Sequence, residues 1–426
     1  MLKKFIALAL VAICAMTFVF AQGDSETKIT ESNGKTDDTI VINFWHKETG
    51  VKGKLFDKYV AEFEASHPGV DVVVTQSRND AYKEKLPISF SGSNHPDVFF
   101  TWGGSWLKSF IDAGHVLPLT DVDTSNFVPS ALGNATFDGQ VYGLPLGIDI
   151  GIVYYNKELF DLYGLEVPET FEELEHCAKV LKENGVIPFV LANQAKWPAE
   201  FWQMYLADRI GGPEVFQTCF NNEGKWSNPT YIKSLEMIQD IVKDEWFNPG
   251  FNGLAYDAGP GRQLLYTGKC GMMILSNTFV NLMRNEFPAF EEEMGIFPFP
   301  TVEGGVGDPT NICGIASPVF SVNAHSKYPE LCTEFVEFFT SKEIGQEFAN
   351  TTGSQCARTD VTSTDPFVNQ LEDLMRGASN LQPVYDQTLP VELIDVYLAT
   401  LQEVFGLTMT PEEAAAKMDA KAAEIY

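Results

Sequence analysis

Basic residues are scarce in this chain of 426: 29 Lys and Arg stand against 58 Asp and Glu, a formal net charge of −29. Such a surface repels polyanions, which excludes nucleic acid and anionic lipid headgroups as non-specific partners. Histidine is also sparse. The six (His46, His67, His95, His115, His176, His325) are scattered, with no H-E-x-x-H and no local metal-ligand spacing. No G-x-S-x-G elbow, Walker A loop or G-x-G-x-x-G occurs, and Gly304-Gly305-Val306-Gly307 fails the dinucleotide pattern in spacing. Asp121-Val122-Asp123 opens like a calcium loop, but Leu132 stands where the bidentate Glu is needed. Local motifs therefore point to no catalytic residue, no metal site and no cofactor.

Long hydrophobic runs are missing beyond the N-terminus. Lys3 and Lys4 precede an apolar run over 5–20, short for a bilayer span and followed by small and polar residues. This pattern reads as a secretory signal peptide over 1–21, with Val19 and Ala21 as the small pair before the cleavage point. A lipid anchor at Cys14 is the alternative, against which the bulk of Ile13 argues. Residues 22–38 are polar and acidic without apolar periodicity, which predicts a flexible leader. Six cysteines follow with no C-x-x-C, so zinc and thioredoxin-type readings lack support. Disulfides and buried free thiols both remain open.

What is present is a globular balance, 45% hydrophobic and 12% aromatic, over a length that suits two sizeable lobes. Residues 39–45 read as a strand. Leu55, Phe56, Tyr59, Val60 and Phe63 then repeat at helical spacing, and 70–75 is apolar again. So short a connection through one helix predicts a parallel pair with a right-handed crossover. A third strand is expected at 97–100, and further strands near 188–191 and 271–275. Phe297-Pro298-Phe299-Pro300 is too proline-rich for a central strand and suits an inter-lobe crossing. Thr410-Pro411-Glu412-Glu413 carries the residues of a helix N-terminus.

Ligands of open parallel sheets bind beyond the carboxyl ends of the strands. Here those positions are Trp45-His46, Gln76-Ser77-Arg78 and the run from Thr101 to Ser105, which contains Trp102 and Gly103. Indoles beside short hydrogen-bonding groups suit pyranose rings, whose C–H faces stack while their hydroxyls need partners.

Several segments taken in order carry a family resemblance. They are Phe44-Trp45, Pro96-Asp97-Val98-Phe99-Phe100, Tyr142-Gly143-Leu144-Pro145 leading to Tyr154-Tyr155-Asn156-Lys157-Glu158-Leu159-Phe160, and Gly268-Lys269-Cys270-Gly271-Met272. Further on, the stretch 335–343 and the pair Ala357-Arg358 complete the pattern. The chain resembles the family 1 extracellular solute-binding proteins, the sugar-binding components of ABC importers. That resemblance implies an α/β, two-lobed periplasmic-binding-protein fold of the class II type, with inter-lobe crossings and a ligand cleft. It implies one lobe from 39–148 and 300–353, another from 149–299 and 354–426, and crossings near 147–149, 298–300 and 353–357.

The same resemblance implies ligand contacts from Trp45, His46, Trp102, Gly103, Ser105, Asp149, Trp197, Glu200, Asn277 and Thr278. The implied role is a non-catalytic periplasmic or extracellular monomer that captures a sugar or oligosaccharide and delivers it to ABC permease subunits. Ser276-Asn277-Thr278 departs from the Gly and Trp platform common in relatives, which predicts a more polar pocket. Two alternatives stay open: an exported carbohydrate-cleaving enzyme, which needs two carboxylates about 5–9.5 Å apart, and the same fold holding a phosphate ester, polyamine or peptide. Arg78 and Arg262 are the cations whose orientation bears on the second.

Overall fold

The computed structural model describes residues 28–29, 39–92 and 94–426. The expected signal peptide, Cys14 and all of the expected leader except Lys28–Ile29 lie outside the described residues.

The β-branched and aromatic stretch Ile40–His46 forms a strand, and the helix Gly50–Ser66 turns Leu55, Phe56, Tyr59, Val60 and Phe63 onto it. The chain returns as Val70–Gln76, parallel in register from Ile40 opposite Val70 to His46 opposite Gln76. Helix Asn79–Ser89 leads to Val98–Thr101, parallel on the other side. Val319–Val322 and Leu144–Pro145 complete that flank antiparallel, while Lys28–Ile29 pairs with Thr75 and Gln76 at the opposite edge. The first lobe is built on this sheet.

The second sheet is organised by Gly147–Asn156, ten residues long and almost wholly buried. Cys270–Ser276 runs antiparallel beside it, with Ile187–Phe189 beyond. Met294–Phe297 pairs with its far half. Ile312–Ala316 pairs with its near half and is joined by Leu381–Pro383, and Gln355–Cys356 pairs at its very start. Passing from Pro145 to Gly147, the chain changes sheet where the first crossing is expected. Gly147 suits this point, since a Cβ would sit 2.6 Å from the Ser317 carbonyl of the returning strand.

The second crossing departs from expectation. Phe299 stays with the second lobe, stacked on Tyr205 at 5.2 Å, and Ile312–Ala316 belongs to the second sheet, so 300–316 does not build the first lobe. The chain returns only between Ala316 and Val319. The reason is Arg209, wholly buried, which donates to the carbonyls of Phe299 (3.1 Å), Pro309 (3.1 Å) and Asn311 (2.9 Å) and pairs with Asp208 at 2.6 Å. These contacts hold the proline-rich segment against helix Glu200–Gly211.

The six cysteines of the described residues are buried free thiols, which settles the alternative in their favour. Burial pushes the Cys332 and Cys356 thiols up to about 12, away from reactive thiolate. Thr410 and Glu413 form the reciprocal cap read from their spacing. Among the described residues no helix is long and apolar enough to cross a membrane.

Replacing the buried guanidinium, as in Arg209→Met, leaves the Asp208 carboxylate without its counter-charge, held only by Asn311 Nδ2, beside three carbonyls that lose their donor. Urea denaturation is expected to show a loss of about 3–5 kcal/mol; an unchanged midpoint would refute the anchoring role.

Candidate functional site

Between the two sheets lies a cleft of about 600 Å³, within the roughly 300–1,000 Å³ of small-ligand sites. Its first wall comes from residues just past the strands of the first sheet: Lys47 and Glu48 after Ile40–His46, Gln76 and Arg78 at the end of Val70–Gln76, and Trp102 after Val98–Thr101. Its second wall comes from the crossing strand (Asp149, Gly151), the Trp197–Phe201 turn, the Tyr256-Asp257 loop and the helix that opens at Thr278.

Of the expected contacts, Arg78, Trp102, Asp149, Trp197, Glu200 and Thr278 line this cleft, as does Arg262. Trp45, His46, Gly103, Ser105 and Asn277 do not. The first strand runs one residue further than the sequence pattern suggests, so Trp45 is paired with Thr75 and Phe99 inside the sheet. His46, fully buried, packs between Phe44 (5.1 Å) and Phe56 (5.2 Å). Both are core residues, and the first side chains past the strand are Lys47 and Glu48. Gly103 has a left-handed φ of 74°, and a Cβ there would lie 2.8 Å from the Asn134 carbonyl, so its role is a turn. The Ser105 hydroxyl donates to the Thr388 carbonyl. Asn277, fully buried, accepts the Ile150 N–H at 2.7 Å and donates to Ser354 at 3.3 Å, stitching the crossings together.

Aromatic faces come from both walls. On the second, Trp197 is half-buried and meets Tyr256 edge-on at 5.0 Å, with Phe201 behind it at 6.5 Å. On the first, Trp102 packs edge-on against Phe100 at 4.8 Å. The ammonium groups of Lys83 and Lys47 stand 5.2 and 5.7 Å from its ring centre. They occupy the positive-seeking face of the indole, which leaves Trp197 as the more open platform.

The wall holds four cations (Lys47, Arg78, Lys83, Arg262) and five carboxyl groups (Glu48, Asp149, Glu200, Asp257, Glu286). Three of the cations are committed to acids: Lys47 to Glu48 at 3.1 Å, Lys83 to Asp386 at 2.8 Å and Arg262 to Glu286 at 2.6 Å. Burial alone would raise Glu48, but Lys47 and Lys52 together hold its carboxyl below the usual range. Asp149 accepts the Thr278 hydroxyl at 3.1 Å, and Lys52 stands 3.8 Å away. Its Oδ1, the oxygen that faces Lys52, is buried and makes no hydrogen bond. Glu200 behaves differently. Burial, then the neighbouring Asp386 carboxylate, pushes it well above the ordinary 4.5, so the group holds its proton to higher pH than a free carboxyl does. It accepts the Asp386 N–H at 3.0 Å.

Sequence reasoning missed Lys47, Glu48, Lys83, Tyr256, Asp257 and Gln387. The strand-end rule would have found the first two had it been carried two residues on. The others sit on a helix face and in loops whose spatial position no local pattern reports. Among the described residues no group of three His, Cys, Asp or Glu side chains is placed to hold a metal.

Comparison with known proteins matches the family model "Bacterial extracellular solute-binding protein" to residues 47–346. An ABC transporter extracellular-binding protein of Pyrococcus horikoshii is 25% identical, over 96% of this chain and 93% of its own. A melibiose/raffinose/stachyose-binding protein of Bacillus subtilis is 23% identical, over 85% and 84%. A solved structure from work on xylan utilization by Caldanaerobius polysaccharolyticus superposes with a TM-score of 0.85 at 28% identity, covering 90% of this chain and all of that one.

Because the folded Glu200 holds its proton to higher pH than the unfolded chain, which ionises there near 4.5, the unfolded state binds fewer protons above that pH, and stability falls with rising pH until the folded group ionises too. Glu200→Gln keeps an acceptor for Asp386 and removes this loss. Its melting temperature relative to the parent is expected to rise with pH above about 4.5 in a thermal scan; a difference flat with pH would contradict the assignment.

Proposed function

The chain belongs to the family of bacterial extracellular solute-binding proteins, and we propose that it captures a neutral oligosaccharide and presents it to the membrane subunits of an ABC importer. It works as a monomer, exported by a signal peptide over 1–21, and performs no chemistry on its ligand. The pairing of charges in the cleft carries this reading. Lys47, Lys83 and Arg262 each have an acid beside them, so an anionic ligand would meet no cluster of uncommitted cations such as phosphate recognition needs. Glu200 is buried and its pKa is raised, which weakens the attraction it adds for a polyamine.

What remains suits a polyol. Trp197 and Tyr256 offer apolar faces for ring C–H groups. Asp149, Thr278, Gln76 and Gln387 offer acceptors and donors for hydroxyls from both walls. The sugar-binding relative in Bacillus subtilis and the structural relative from xylan utilization support the same ligand class. Ligand held by both walls favours the closed arrangement, and only differential affinity for that arrangement signals the membrane partner.

Calorimetric titration with raffinose and xylotriose, against glucose 6-phosphate, spermidine and a tripeptide, tests the proposal. A neutral oligosaccharide is expected to bind, with Trp197→Ala and Asp149→Ala each weakening it about tenfold, or about 1.4 kcal/mol. Binding confined to the charged solutes, or the release of reducing ends on prolonged incubation, would overturn it.

A further inference from the structure

Two helices of the first lobe begin at the cleft, and neither caps its own N-terminus. Helix Gly50–Ser66 follows Thr49, and helix Asn79–Ser89 follows Arg78; neither residue makes a side-chain cap hydrogen bond. The first-turn N–H groups of a helix need partners from elsewhere. Here two of them find partners across the cleft. The Lys52 N–H donates to Asn281 Oδ1 at 2.7 Å, and the Asp80 N–H donates to Asp257 Oδ2 at 3.0 Å. Asn281 lies on helix Thr278–Glu286 and Asp257 on the loop after Tyr256, both in the second lobe.

Each cap is reinforced by a second bond. Asn281 Nδ2 returns a bond to the Thr49 carbonyl at 3.1 Å, and Lys54 reaches Asn285 at 2.9 Å. Asp80, whose N–H is capped, turns its own carboxylate to the Trp197 indole N–H at 3.3 Å. One helix end thus receives a carboxylate from the opposite lobe and fixes that lobe's aromatic platform in return.

We infer that Asn281 and Asp257 are positioning residues that cap first-lobe helices only when the cleft is shut, and that Asp80 then locks Trp197 into place. Opening the cleft exposes two uncapped helix ends and frees the indole. A carboxylate at a helix N-terminus also meets the positive end of the peptide dipoles, which favours Asp257 although the Asp80 carboxylate is its neighbour. The platform for the ligand is therefore completed by closure rather than standing ready in the open form.

This latch presupposes two-lobed capture but no particular ligand, so it is read without one. Spin labels placed through I88C and L162C, at exposed positions on opposite lobes, report the inter-lobe distance while the cysteines of the described residues stay buried. Loss of a cap shifts a helix end about fivefold. In Asn281→Ala/Asp257→Ala the closed-to-open ratio is expected to fall about 30-fold, with faster amide exchange at Lys52 and Asp80. Asp257→Asn, which keeps an acceptor, is expected to behave as the parent at the Asp80 end and serves as the folding control. Parent-like distances and exchange in the double variant would overturn the latch, whether or not raffinose binds. Failure of raffinose to bind, with the distance shift intact, would count against the sugar alone.

Discussion

The strand Gly147–Asn156 is the constraint on which the rest depends. It is buried along nearly its whole length, so each of its backbone N–H and C=O groups needs a partner inside the protein. Four strands from distant parts of the chain supply them: Cys270–Ser276, Met294–Phe297, Ile312–Ala316 and Gln355–Cys356. Because Asp149 is opposite Ile315 and Gly151 opposite Ser276, the register that satisfies the backbone also puts both residues in the cleft wall. Asn277, which accepts from Ile150, closes the same network. The site's position follows from backbone pairing.

The electrostatic character of the cleft follows from a different balance. A chain with twice as many acids as bases can afford an acid for each wall cation. Lys83 shows how this works: burial alone would lower its pKa, but Asp386 more than offsets that and holds the ammonium charged. Paired charges of this kind orient one another and leave little net field. Selectivity then falls to shape, stacking and single hydrogen bonds, the vocabulary of carbohydrate recognition.

Much of the fold was legible because periodicity reports it directly. The β–α–β opening, the helix read from Leu55, Phe56, Tyr59, Val60 and Phe63, and the cap at Thr410 all appear in the structure, and the family likeness placed the two-lobed architecture. The second crossing was misread because prolines in Phe297–Pro300 say only that the segment is neither helix nor inner strand. That Arg209 holds it to the second lobe is a long-range fact. In the site, strand-end reasoning located the right rim but stopped two residues short, at Trp45-His46 instead of Lys47-Glu48. Both faces of the sheet are covered at that strand's end, so Trp45 and His46 are core residues and the first side chains to reach the cleft are those of the Lys47-Glu48 ion pair. Asp257 and Asn281 carried no local signal at all, because their partners lie about 180 and 230 residues away in sequence.

Capture by this cleft requires that its two walls share a neutral ligand. A crystal structure of the purified protein grown with raffinose or xylotriose is the most direct measurement. A sugar ring lying against Trp197, with hydroxyls within hydrogen-bond distance of Asp149 and of a first-lobe side chain such as Gln76 or Glu48, is the predicted result. A ligand density bound outside the cleft, or one whose charged group is clasped by Arg78 and Arg262, would contradict it.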